Sequence, residues 1–207
     1  KAMEKRSRLH PLSITLPKRI GLRYGERLSN HECFWPVRVA YLVNRYPASS
    51  HSFIRREIEA VEAQGTSVDR FSIRPVRADE LPDPRDQAEQ KKTFVLLKLG
   101  VLRLLFFALG SVARAPKRSL KGLRVAFSGA DWNPVTWITR AAYFAEAAAL
   151  ASRIQSHSIA HIHAQFGTNP AMVARIASAL AGVPYSFTVH GPDEFDAPLA
   201  LDLPGKV

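Results

Sequence analysis

Between residues 37 and 73 the chain runs strand, helix, strand, and that order leaves few folds open. Residues 37–43 (VRVAYLV) form a short valine-rich apolar run, suited to a strand buried on both faces. The loop 44–50 (NRYPASS) follows. Phe53, Ile54, Ile58 and Val61 then recur at helical spacing, with Arg55, Arg56, Glu59 and Glu62 on the outward side. Gly65 stops the helix, and residues 67–73 (SVDRFSI) read as a second strand. Two strands joined through a helix pair in parallel, with a right-handed crossover.

Residues 74–90 are polar, carry three prolines and read as a loop. Residues 93–110 (TFVLLKLGVLRLLFFALG) are the most apolar stretch. Lys98 and Arg103 within it argue against a simple spanning helix and against deep burial. A helix lying in a membrane interface tolerates both, because their stems snorkel toward head groups. Lys91, Lys92, Arg114, Lys117, Arg118 and Lys121 flank it. The interfacial helix and an ordinary core helix both stay open on this pattern. A further helix starts at Trp132, Asn133 and Pro134 and runs to about Gln155. Residues 159–163 (IAHIH) make a third strand. Asn169 is placed to cap the next helix, with Pro170 at its first turn and Gly182 past its end. Residues 185–189 (YSFTV) make a fourth strand. The expected architecture is α/β, a Rossmann-like parallel sheet with flanking helices over residues 37–207. Such sheets often have six or more strands, so this domain is expected to be incomplete at its C-terminal end.

Residues 1–36 lack sustained periodicity and are broken by Pro11, Pro17 and Pro36, so a disordered basic lead-in is expected. The 207 residues are 46% apolar, which excludes disorder of the whole chain. Cys33 is the only cysteine, which excludes a disulfide scaffold. The first 30 residues show no secretory apolar core. The net charge of +11 is uneven. Residues 1–36 contribute +5, residues 91–124 carry nine cations and no carboxylate, and the remaining 137 residues are slightly acidic. Two local basic segments point to a surface that meets an anionic partner, or else to solvated faces. Nucleic acid is the weaker choice of partner, since interleaved aromatics and a recognition-helix motif are both missing.

Ligands of open α/β sheets bind outside the carboxyl ends of the strands. Three loops lie at such ends, residues 44–52, 163–169 and 190–196, and they are expected to converge. The first has no glycine and is not a dinucleotide fingerprint. Ser50 and Ser52 there suit a helix cap or an anion site. In the second, His161 and His163 share a strand face, with no cysteine or carboxylate nearby to complete a metal site, so no metal is expected. His163 is expected in the crevice, with Gly167 and Thr168 presenting backbone N–H groups at a helix start. In the third, His190 and Gly191 precede Asp193, Glu194 and Asp196. A histidine there suits positioning or deprotonating a hydroxyl, and carboxylates suit orienting hydroxyls. Asp193 equally suits a helix cap.

The stretches YLVNRYPASSHSFIRREIEAVEAQG and HIHAQFGTNPAMVARIASALAGVPYSFTVHGPDEFD, with the apolar–basic segment between them, resemble the N-terminal half of bacterial group 1 (family 4) glycosyltransferases. The similarity is greatest to the colanic acid and exopolysaccharide branch and covers residues 37–207. The resemblance implies a GT-B fold of two Rossmann-like domains, the first mainly binding the acceptor, the second holding most of the nucleotide-sugar site. It implies transfer with retention of anomeric configuration, from a nucleotide-sugar co-substrate to a polysaccharide or lipid-linked acceptor, with no cofactor or metal. A lipid-linked acceptor would lie at the inner face of the cell membrane, and the apolar–basic segment fits a peripheral place there, against an anionic lipid surface. His190 matches the family histidine that contacts the donor sugar, and Asp193 and Glu194 occupy the acidic positions just after it. His163 and Gly167 match an H-x-H-F-G stretch in which Gln165 replaces a histidine. Ser50 and Ser52 match the opening of the first helix. The family's pair of glutamates in the second domain has no counterpart here, so the 207 residues are expected not to turn over alone. The other expectation is a non-catalytic remnant that binds a sugar or a partner. Lys98, Arg103, Lys117, Arg118 and Lys121 are the expected membrane-facing cations.

Overall fold

The computed structural model describes residues 37–191, and the account below concerns those. Five strands form one sheet, all pairs parallel. They are β1 (Arg38–Arg45), β2 (Ser67–Arg74), β3 (Phe94–Val95), β4 (His161–Gln165) and β5 (Tyr185–Thr188). Their order across the sheet is β3-β2-β1-β4-β5, the doubly wound Rossmann-like arrangement. The helices are α1 (Ser52–Ala63), α2 (Pro84–Lys92), α3 (Val101–Arg114), α4 (Pro116–Phe127), α5 (Pro134–Ser156) and α6 (Asn169–Ala181).

Alternation along β1 sorts the core into two layers. Ala40 and Leu42 face one side, where Phe71, Leu150, Ile154, Ile162, Val173 and Ile176 pack beneath α5 and α6. Tyr41 and Val43 face the other, with Ile54, Ile58 and Val68 under α1. Each fully buried leucine or isoleucine contributes about 1.5–3 kcal/mol relative to exposure. Gly122 lets α4 close on α6, since a Cβ there would stand 2.7 Å from Leu180 Cδ2.

Three expectations need correcting. The sheet has a fifth strand, β3, cut from the apolar segment that reads as one helix. Gly100, at φ +78°, breaks that segment ahead of α3. The expected loop 74–90 contains α2, started by Asp83, whose carboxylate accepts from the Arg85 N–H at 2.8 Å. The inner side of α2 is charged, with Asp86 and Glu89 buried, so no apolar period marks it. Arg55, expected on the outside of α1, is buried and reaches Asp83 at 3.2 Å and Asp86 at 3.5 Å. Beside it, Arg70 pairs with Glu62 at 2.6 Å and Glu89 at 2.8 Å, and the Tyr46 hydroxyl donates to Glu89 at 3.0 Å. Burial alone would raise the Glu89 carboxyl; Arg70 overcomes this and holds it below its ordinary value. Arg118, exposed on α4, also donates to the Ala181 carbonyl at 3.2 Å, where a cation complements the dipole at the C-terminus of α6. Lys98, Arg103, Lys117 and Lys121 are exposed too.

Candidate functional site

The strand order reverses direction between β1 and β4, which places the ligand crevice at their carboxyl ends. The loops from β1 and β4 and the end of β5 meet there through aromatic rings. The His190 ring packs 4.8 Å from Phe53, at the start of α1, and 5.1 Å from Phe166, after β4. His51 lies 5.3 Å from Phe166 and donates from Nδ1 to the Arg45 carbonyl at 3.1 Å. The expected convergence of the three loops therefore holds as far as Gly191. Phe166 adopts φ +73°, a conformation costly for a residue with a Cβ, at the centre of this junction.

Beneath the rings lies a polar network on the α1 side of the sheet. Glu57, on α1, accepts from the Tyr41 hydroxyl at 2.9 Å and from Gln165 Nε2 at 3.1 Å. Burial first, and then Glu57, raise the Tyr41 phenol, so it stays a protonated donor. Gln165 is fully buried, and its Oε1 meets His190 Nε2. A carboxylate only accepts, so the Gln165 amide must turn its NH2 to Glu57 and its oxygen to His190. His190 then carries its proton on Nε2, and in the neutral ring Nδ1 is the accepting nitrogen.

His163 sits one pleat back. Its Nδ1 is 2.8 Å from the Ser186 hydroxyl and its Nε2 is 3.1 Å from the Thr188 hydroxyl. Burial lowers its basicity, the charge of Glu57 opposing, so the ring is held toward the neutral form. His161 reaches the same Ser186 oxygen at 2.7 Å. One hydroxyl has one proton, so Ser186 donates to at most one of these rings and accepts from at least one of them. The H-x-H pair is thus tied together by a serine. Among the described residues no group of three or more His, Cys, Asp or Glu side chains is arranged to hold a metal.

Neither Ser50 nor Ser52 caps α1: Ser50 lies in a 3-10 turn (Ser49–His51), and the residue before α1 is His51, with no side-chain cap. Ser50 instead lines a concavity of about 480 Å3 with Arg45, His51 and Glu80, beside the crevice. Thr168 occupies the capping position of α6, but its side chain makes no cap bond. Asn169, expected as that cap, accepts from the Tyr143 hydroxyl at 2.6 Å. Gly167 belongs to the turn before α6, and a Cβ on Gly191 would meet nothing within 4 Å. Asp193 and Glu194 lie outside the described residues. Glu57, Phe53 and His51 are members of the site that the sequence reading did not single out. Their signal was available: Phe53 and Glu57 are four apart, so they share one face of α1.

These features define the class: a doubly wound α/β protein with a histidine held at its switch-point crevice. Comparison with protein-family models, with curated proteins and with solved structures found no match to this chain.

Proposed function

We propose that this chain is the acceptor-side domain of a retaining GT-B glycosyltransferase of cell-envelope or exopolysaccharide synthesis. In that reaction the bond from the sugar's anomeric carbon to the diphosphate is replaced by one to an acceptor hydroxyl, and the nucleoside diphosphate leaves. The observation that supports the reading is the Glu57–Gln165–His190 chain. A half-exposed carboxylate, acting through a buried amide, fixes the orientation of a histidine at the place where such a fold binds ligand. The His190 ring suits contact with a sugar hydroxyl, and Phe53 and Phe166 supply apolar walls for the faces of a sugar ring. Gln165 is a positioning residue in this scheme and His190 the contacting one. The co-substrate is a nucleotide-sugar, and the acceptor is a polysaccharide or a lipid-linked sugar at the inner membrane face.

The test is titration of the 207-residue chain with a panel of oligosaccharides and nucleotide-sugars, followed by calorimetry, with nucleoside diphosphate release assayed in parallel. Saturable binding that His190→Ala weakens tenfold or more supports the reading. No release is expected from these 207 residues alone, because the glutamate pair of the second domain has no counterpart in them; acceptor-dependent release by them would contradict the reading as an acceptor-side domain. Binding that is indifferent to His190 removes the crevice from the argument.

A further inference from the structure

The helix α3 carries apolar side chains on its outer face as well as on the face toward the core, with Arg103 and Arg114 between them. Leu104 is buried and Phe107 and Ala108 pack on the core, yet Val101, Leu102, Leu105, Phe106, Leu109 and Val112 stand outside. Leu102 is 85% exposed and Leu109 is 71% exposed. Their spacing puts them in one stripe along the helix. A contiguous apolar stripe on a surface marks a contact.

The charge around the stripe selects what covers it. Lys98, Arg103 and Arg114 border it, and Lys117 and Lys121 extend the same sign along α4, beside the exposed Leu120. No carboxylate occurs anywhere from residue 91 to 124, against nine cations. A second copy of the chain would bring the same cations against them, and like charges facing each other oppose association. An anionic phospholipid surface satisfies both halves of the pattern. Its acyl region takes the leucines and Phe106, and its phosphates take the lysines and arginines, whose stems lie along the apolar surface.

A second feature adjoins it. Trp132 is 92% exposed and stacks on Trp137 with ring centroids 6.0 Å apart. Trp137 in turn packs 4.9 Å from Phe127, the last residue of α4. Exposed indoles at such an edge suit the head-group level of a bilayer. Among the described residues no helix is long and apolar enough to cross a membrane.

We infer that the outer stripe of α3, with the cations of α3 and α4 and the Trp132–Trp137 pair, is a docking surface for an anionic phospholipid bilayer, lying in the interface plane. The inference rests on exposure and charge and is independent of the crevice chemistry.

The experiment is flotation of the 207-residue chain with vesicles of phosphatidylcholine alone and of phosphatidylcholine mixed with phosphatidylglycerol, at low and high salt. The chain is expected to float with the mixed vesicles at least tenfold more strongly than with the neutral ones, and less as salt rises. Tryptophan emission is expected to shift to the blue on mixed vesicles, and Trp132→Ser to reduce that shift. The double variant Leu102→Glu, Phe106→Glu is expected to lose tenfold or more in binding with its melting temperature unchanged, since neither side chain packs in the core. No flotation with mixed vesicles at low salt overturns the inference, as does equal flotation of the double variant. A dimer that the double variant dissociates, with no flotation, assigns the stripe to a second copy and overturns it too. Glycan binding at His190 is measured without membranes, so failure here leaves the transfer reading to its own test.

Discussion

The two faces of the sheet are held by different chemistry. Under α5 and α6 the core is alanine, leucine, isoleucine and valine, with almost every buried side chain apolar. Under α1 and α2 a smaller apolar cluster is joined by Arg55, Arg70, Asp86, Glu89, Glu57 and Gln165. The first face needs only the right volumes in the right pattern. The second needs each partner in place, because a buried charge left alone costs far more than a lost methylene. The crevice network is built on this second face.

The largest effect is expected where a charge is orphaned. Arg70→Ala leaves Glu89 buried without its main cation and should cost about 3–5 kcal/mol in urea unfolding. A result under 1 kcal/mol would erase the contrast between the faces. On the opposite face, Leu150→Ala should cost roughly 3 kcal/mol through an unfilled cavity, with little change between pH 5 and 8.

Glu146 is the exception on the apolar face and sharpens the comparison. It is buried on α5, its Oε2 has no hydrogen-bond partner, and burial pushes its carboxyl up to about 7, with Arg74 opposing. The folded state then keeps a proton that the unfolded chain releases near the ordinary value of 4.5. Its contribution is full below the unfolded value and is lost as pH rises through about 7. Glu146→Gln should remove that slope, gaining about 2–3 kcal/mol on the parent between pH 4 and 8. Equal slopes in parent and variant would contradict it. The Glu89 carboxyl, held low by Arg70, works in the opposite sense, its contribution lost only on acidification. The smallest effect is expected at Arg118→Ala, which removes one bond and one cation from the end of α6, about 0.3–1 kcal/mol by thermal unfolding.

The same contrast explains what the sequence made legible. The strand–helix–strand unit at the start of the fold and the α5–β4–α6–β5 run were readable, because apolar periods and Gly65, Asn133 and Gly182 mark them. α2 was not, because its buried positions are Asp86 and Glu89, which look like a solvated loop until Arg55 and Arg70 are seen against them. β3 was hidden because its two residues sit in an apolar run that continues into α3. At the site, His163 and His190 stood out as histidines at strand ends. Glu57 was passed over because a glutamate on a charged helix face carries no mark of burial or partner. Gln165 was noticed only as a departure from a pattern, and its bonds to both Glu57 and His190 come from the pairing of β4 with its neighbours.

The central claim is that Glu57, through Gln165, fixes the proton of His190 on Nε2. Long-range nitrogen–proton NMR of the histidine rings reads that directly. The account predicts that His190 is the Nε2–H tautomer at pH 7.5 and that Gln165→Ala turns it into a mixture of tautomers. A His190 ring protonated on Nδ1 in the parent chain, or a tautomer unchanged by Gln165→Ala, would contradict it.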